Sequence, residues 1–321
     1  MNPAAVRKRT SPRNSLRKVP QWNLRQARGL QILEAPPLAQ LDWITHGFST
    51  RPGGVSELES IHDGRKSAEK VLNLGFTEWD SRECVLTNRR NFFEALNSDE
   101  MSAIGLRQIH SDIVRVVNSA DAEPSADAAK ADALITNEPG LLLIVQVADC
   151  VPILLADKKR RAIAAIHSGW RGTLQRIAEK ALGRMQMEFG TRPRDVIAAL
   201  GPGIGQCCFE VGPEVAAEYA AKFPEARNWF QGPFDSLARE DNDPNWLPWL
   251  TMRPPGHQPP SPRVHLDLIA ANRSILSAVG VPSANIFSSG FCTACRRDLF
   301  FSFRRERVTG RMLAAIGIRP S

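Results

Sequence analysis

Between Leu141 and His167 the chain carries a strand–strand–turn–strand pattern that limits every fold it can join. Leu141–Val147 is a short apolar run that ends at Ala148-Asp149-Cys150. Pro152–Ala156 is a second β-rich run, Asp157-Lys158-Lys159-Arg160 is a polar turn, and Ala162–Ile166 is a third run that ends at His167. A parallel crossover needs roughly a dozen residues or more, so this turn forces the second and third strands into an antiparallel hairpin. Elsewhere strands and helices alternate. A purely parallel, doubly wound sheet is therefore excluded, and a mixed α/β (α+β) architecture is expected.

The remaining elements follow from periodicity and turn residues. Trp43–Arg51 reads as a strand running into Pro52-Gly53-Gly54, and residues 56–70, polar and irregular, as a loop. Asn88–Leu96 has helical character, and Gly105–His110 with Asp112–Val117 reads as a strand or strand pair. Thr173–Phe189, with Thr173 as N-cap, is expected to be one amphipathic helix. Val196–Leu200 reads as a strand, Pro213–Ala221 and His265–Val279 as helices, and Ile286–Ser288 as a short strand. The chain closes with Leu299–Phe303 and Arg311–Ile318. Residues 224–262 contain nine prolines and three tryptophans and are expected to be a surface insertion. There are no internal repeats, no dinucleotide-binding glycine fingerprint and no Walker motif.

The net charge of +7 belongs to one end of the chain. Eight Lys and Arg residues fall within residues 1–28, which contain no acid, and removing them leaves 33 basic against 34 acidic residues. Residues 1–30 are therefore expected to be a disordered basic tail. A solvated tail is preferred over a nucleic-acid arm. It resembles an organelle transit peptide only in being Arg-rich and acid-poor, and no apolar core of a secretory signal follows the charges. No run approaches the ~20 apolar residues of a membrane helix, so a cytoplasmic location is expected. Six cysteines in 321 residues are too few for a disulfide scaffold, and adjacent Cys207 and Cys208 would be strained as a pair. Reduced thiols are expected.

Cys150 lies just before the first hairpin strand and His167 just after the second, which brings them to one sheet edge. His110 also closes a predicted strand. One thiolate and two imidazoles suit zinc, with a fourth position left open for chemistry. The same atoms also suit a thiolate–imidazole nucleophile pair, and spacing does not separate the two readings. Cys292-x-x-Cys295 has no second C-x-x-C or His pair beside it in sequence, and reads as packing thiols with Cys292 near the site.

Eight motifs in fixed order carry a resemblance. They are Thr45-His-Gly-Phe-Ser-Thr-Arg-Pro-Gly-Gly-Val-Ser56, Gln108-Ile-His110, Asp132-Ala-Leu-Ile-Thr136, Ala148-Asp-Cys-Val-Pro152, His167-Ser-Gly-Trp-Arg-Gly172, Gly201-Pro-Gly-Ile-Gly205, Cys292-Thr293, and Phe301-Ser-Phe-Arg-Arg305 with Gly310-Arg311. Together they resemble the laccase-domain or polyphenol oxidase-like family, also described as peptidoglycan editing factors and as purine nucleoside phosphorylases with adenosine deaminase activity. The resemblance spans about residues 41–318, a single catalytic domain. It implies two mixed sheets packed face to face with helices outside, a hydrolase-like four-layer arrangement. It also implies zinc held by His110, Cys150 and His167, with copper the less favoured metal. Purine nucleosides and phosphate are the implied partners, and a homodimer is left open. Two stretches depart from the pattern: Ser56 to Asn73 and the 224–262 insertion are both longer than usual.

The implied chemistry sets the remaining candidates. Zinc-assisted deamination at C6 of adenine needs a carboxylate acid/base, for which Asp149 is best placed, although it could equally cap a turn. Phosphorolysis needs an anion site, for which Arg51 and Arg304 are the first candidates and Arg171 a further substrate contact. Ser49 and Asn73 are candidates for ribose or base contacts, and His46 for lining the pocket. Trp170 reads as a core or rim aromatic. The competing functions are a cell-wall precursor hydrolase using Cys150 and a copper-dependent phenol oxidase. The latter needs many more histidines than the six present.

Overall fold

The structure, a computed structural model, describes residues 22–62, 65–122, 129–232 and 263–320. The hairpin forms with Val151–Asp157 antiparallel to Ala162–Ser168, placing Pro152 opposite His167. It lies inside a six-stranded sheet ordered Ile286–Ser288, Val196–Leu200, Val151–Asp157, Ala162–Ser168, Ala133–Thr136 and Val114–Val116. Both edge strands pair in parallel and the inner pairs are antiparallel, so this sheet is mixed.

Every residue of the hairpin strands is buried, and strand periodicity divides them between two cores. Ile153, Leu155, Ala164 and Ile166 face a helical layer, where they meet Ile177, Ala181, Leu182 and Met185 of the helix Ile177–Phe189 and Ala271 and Ile275 of the helix Leu268–Ala278. Leu154, Ala156, Ile163 and Ala165 face the other way, onto Leu143, Val145, Ala314 and Ile316. These last residues belong to a second six-stranded sheet, ordered Asn23–Ala27, Leu30–Glu34, Ile44–Ser49, Met312–Ile318, Leu141–Val147 and Ser102–Ile104. Its far face buries Leu142, Ile144, Leu313 and Ala315 against Phe92 and Ala95 of the helix Arg82–Ala95. The result is helix, sheet, sheet, helix: the expected four layers. Burying a Leu or Ile side chain contributes about 1.5–3 kcal/mol, so the doubly covered strands anchor the fold.

Several local expectations are corrected. Asn23–Ala27, assigned to the basic tail, is a strand paired with Leu30–Glu34, and Arg25 bonds Glu34; residues 1–21 lie outside the described residues. The loop expected at 56–70 is a hairpin of Pro52–His62 and Arg65–Val71. Its buried Ser56 and Leu58 alternate with exposed Val55, Glu57 and Glu59, a period of two hidden by polar composition. The expected helix 173–189 is two pieces, Trp170–Leu174 and Ile177–Phe189, broken where Arg176 takes a left-handed φ of 60°. Leu174 and Ile177 are buried on both sides of the break, so the apolar spacing runs through it unchanged. Thr173 lies inside the first piece, hydrogen-bonded to Ser168 and Asn272, and Gly169 is the N-cap.

Gly105–His110 is no strand but an extended segment with one bridge at Arg107, held because the Gln108 side chain bonds both main-chain groups of Gln146. His265 belongs to the strand Val264–Leu266, ahead of the helix. Residues 299–302 are irregular rather than a strand, and a short helix, Phe303–Glu306, follows. Ala226 and Trp229, placed in the surface insertion, are core residues packed beside Tyr219 and Phe223; residues 233–262 lie outside the described residues.

Candidate metal centre

His110, Cys150 and His167 converge. Their ligand-type atoms lie within 4.8 Å of one another, and the two imidazole rings meet edge to face at 4.9 Å. The antiparallel register brings Cys150 and His167 together. His110 arrives on a turn with φ of 59°, and Asp149 beside Cys150 has φ of 87°. Both are unfavourable for a side-chain-bearing residue and concentrate backbone strain at the site.

The residue that joins the two histidines is Asp132, to which the sequence reading gave no role. Its fully buried carboxylate accepts from His167 Nδ1 at 2.8 Å, from the main-chain N–H groups of Ile109, His110 and Ser111, and from Ser111 Oγ. Burial pushes the Asp132 carboxyl up, but the bonds from His167 and Ser111 outweigh it and hold it well below the usual carboxylate range. Burial likewise disfavours the His167 cation, while Cys150 and Asp132 raise its pKa to about 9. Cys150 is pushed up by burial and pulled down by His167 and His110, to about 6. Each partner therefore favours the charged form of the other.

These residues fit a divalent ion. Asp132 occupies Nδ1 of His167 and leaves Nε2 as the ligand atom, the usual carboxylate–histidine–metal arrangement. Cys150 Sγ and His110 Nε2 are 3.9 Å apart, against about 3.6 Å expected between sulfur and nitrogen on a tetrahedral zinc. Gly169 makes the space: a Cβ there would stand 2.9 Å from Cys150 Sγ and 3.2 Å from His110 Cδ2.

The cluster lines a cavity of about 630 Å³ whose other walls include Ile204, Phe209, Phe303 and four arginines, Arg107, Arg304, Arg307 and Arg311. Among the described residues, Asp149 is the only carboxylate in that lining. Its oxygens accept from Thr293 Oγ1 and the Arg304 main-chain N–H, both at 2.6 Å. Burial lowers the pKa of Arg311, although Cys150 and Asp149 oppose this. The arginines stack on the aromatic rings: Arg304 over Phe209, and Arg307 and Arg311 over Phe303.

The other candidates lie elsewhere. Arg51 does not line the cavity; Glu306 and Glu69 take its guanidinium, which also sits over Phe301. Ser49 Oγ accepts the Leu313 N–H, and Asn73 ties Gly75, Asp80 and Arg311 together as a buried loop anchor. Arg171 is exposed and stacks on Trp170, itself a half-buried rim residue. His46 accepts the Ala35 N–H away from the cavity. Cys292 and Cys295, expected as packing thiols, meet Cys207 and Cys208. Of these missed features, Asp132 carried a signal in the sequence, its place in a family motif between the His110 and Cys150 motifs. Arg307 and Cys207 carried none.

Residues 45–319 match the family described as multi-copper polyphenol oxidoreductase laccase. The chain belongs to this family. Its similar proteins include a purine nucleoside phosphorylase of Bacteroides thetaiotaomicron, 34% identical over 90% of this chain and 96% of that protein. An adenosine deaminase from an unknown prokaryotic organism is 36% identical over 84% of this chain and 92% of its own length. Among solved structures, YlmD from Geobacillus stearothermophilus aligns with a TM-score of 0.72 at 32% identity, covering 92% of this chain and 98% of that one. The similarity extends over the two-sheet frame, and in this chain the ligand-type residues lie where a sheet edge meets the cavity.

Proposed function

We propose that the chain is a zinc-dependent purine nucleoside enzyme that phosphorolyses adenosine- and inosine-type nucleosides and deaminates adenosine. The observation that carries this reading is the pairing, in one cavity, of a His–Cys–His metal floor with walls bearing four arginines and two phenylalanines. The names of the similar proteins support it.

In phosphorolysis a phosphate oxygen bonds to C1′ of the ribose as the C1′–N9 bond breaks, and the electron pair leaves with the purine, which takes up a proton. The protein's part is to gather and hold an anion beside a nearly neutral sugar. Guanidinium groups do this by forked hydrogen bonds. Arg107, Arg307 and Arg311 are the groups we assign, with Arg304 beside them, and Arg51 is removed from that role because its charge is already paired. Phe209 and Phe303 supply apolar faces for the base, backed by arginines that stiffen them. Asp149 stands as the proton-transfer group for deamination, oriented by Thr293 and Arg304.

His110, Cys150 and His167 would hold the ion, with Asp132 fixing both histidines. When bound, a divalent ion there supplies Lewis-acid activation of water near neutral pH. Zinc is preferred because one thiolate and two imidazoles match it, while a multicopper centre needs more imidazoles than this chain's six histidines allow.

The test is product analysis with metal-replete protein. Adenosine should give adenine only when phosphate is present, and inosine with or without it. Formation of neither product would overturn the reading, and oxygen uptake with phenols would replace it with the oxidase. The Cys150–His167–Asp132 relay also resembles a nucleophile, its base and an orienting acid, which favours a hydrolase as the second reading. A covalent adduct on Cys150 formed by substrate in metal-free protein would support that alternative. Zinc that blocks alkylation of Cys150 would count against it.

A further inference from the structure

We propose that Cys207, Cys208, Cys292 and Cys295 form a second metal site, a four-thiolate zinc centre that clasps together two loops of the cavity wall. The four sulfurs lie within 4.8 Å of one another, although Cys207 and Cys295 are 88 positions apart. Cys295 Sγ stands 3.5 Å from Cys207 Sγ and 3.4 Å from Cys208 Sγ. On a tetrahedral zinc with Zn–S bonds of about 2.3 Å, sulfur–sulfur edges are about 3.8 Å. The thiols therefore already enclose a volume of the right size, and Cys295 shares itself almost equally between two neighbours, as a common central ion requires. A disulfide would select one of them.

The donor set decides the class of ion. Four thiols without a carboxylate are soft ligands that suit zinc rather than magnesium or calcium, and a complete set of four is the mark of a structural site. Four thiolates around a divalent ion leave a net negative charge, and two N–H donors face it. The Gly205 N–H reaches Cys292 Sγ at 3.2 Å, and Arg305 Nη2 reaches Cys208 Sγ at 3.3 Å. Gly205 also leaves the sulfurs room, since a Cβ there would lie 3.1 Å from Cys292 Cβ and 3.3 Å from Cys207 Sγ.

The position explains what such a centre would do. One loop, residues 201–209, carries Ile204 and Phe209 of the cavity wall; the other, residues 291–296, bridges to Gly203 through Cys292 and Thr293. Thr293 in turn holds Asp149. A metal clasp at the four cysteines would thus brace the residues that position the carboxylate beside Cys150, without touching substrate.

The test does not depend on any nucleoside activity. Reduced protein purified with zinc should retain about two equivalents per chain by elemental analysis, and Cys150→Ala about one. Cys207→Ser with Cys295→Ser should also fall to about one. Cobalt(II) loaded into metal-free Cys150→Ala should give an intense near-ultraviolet sulfur-to-cobalt band of the four-thiolate kind, and that band should be lost in the double variant. In wild-type protein, zinc should slow alkylation of all four cysteines together. A Cys150→Ala protein that binds neither zinc nor cobalt would overturn the proposal. So would four cysteines that alkylate freely in wild-type protein with zinc present, or that are recovered as disulfides from reduced preparations.

Discussion

His167 Nδ1 bonds Asp132 Oδ1 at 2.8 Å, and the same carboxylate receives the His110 main-chain N–H at 3.0 Å. One buried side chain thus aims one candidate ligand and holds the turn that carries another. Asp132→Asn should keep the fold but weaken zinc binding by about 10–100-fold, the usual cost of losing an orienting carboxylate behind a ligand histidine. Competition with a chelator of known affinity measures this. Unchanged affinity would remove Asp132 from the site.

Gly169→Ala tests the space around the ligands. The backbone there is ordinary, with φ of −78°, so the substitution acts only through its methyl group, 2.9 Å from Cys150 Sγ. Displacing that sulfur should lower metal affinity and turnover by about 100-fold, as sub-ångström to ångström misplacements do. Gly183→Ala, with open space around it inside a helix, is the control and should be neutral or stabilise by about 0.5–1 kcal/mol.

The arginines divide by location. Arg307→Ala and Arg311→Ala should raise KM for phosphate by about tenfold or more, seen in initial-rate kinetics, while deamination changes less. Arg51→Met should leave KM alone and instead destabilise the protein by on the order of 3 kcal/mol, because it strands the largely buried Glu306. Denaturant titration reads that loss. A raised phosphate KM for Arg51→Met would restore it to the anion site.

His46 makes the fold acid-sensitive. Its Nε2 accepts the Ala35 N–H, which requires a neutral ring, and burial, helped by the Arg25 charge, lowers its pKa from 6.5 to about 4. Above pH 6.5 folded and unfolded chains both hold it neutral. As pH falls from 6.5 to about 4 only the unfolded chain takes up the proton, so stability drops, by about 3 kcal/mol in all. His46→Gln, which keeps an acceptor but cannot titrate, should flatten that part of the stability–pH profile measured by urea unfolding.

The sequence by itself determined whatever depended on neighbours along the chain. A four-residue turn between two apolar runs made the hairpin antiparallel, and its register put Cys150 and His167 at one edge. The two packed sheets with outer helices were what the family resemblance implied, and the structure realises them by covering those strands on both faces. Polar composition misled where it masked a period of two, as at Ser56–Glu59, and continuous apolar spacing misled at Arg176, because neither reports a single φ angle. Only the tertiary structure decided which distant side chains meet. It turned Arg51 toward Glu306 and brought Arg307 and Arg311 to the cavity, gave Asp132 both histidines, and gathered Cys207 and Cys208 with Cys292 and Cys295. Those encounters are set by how packed layers place their loops, and no spacing within one segment encodes the distance between two.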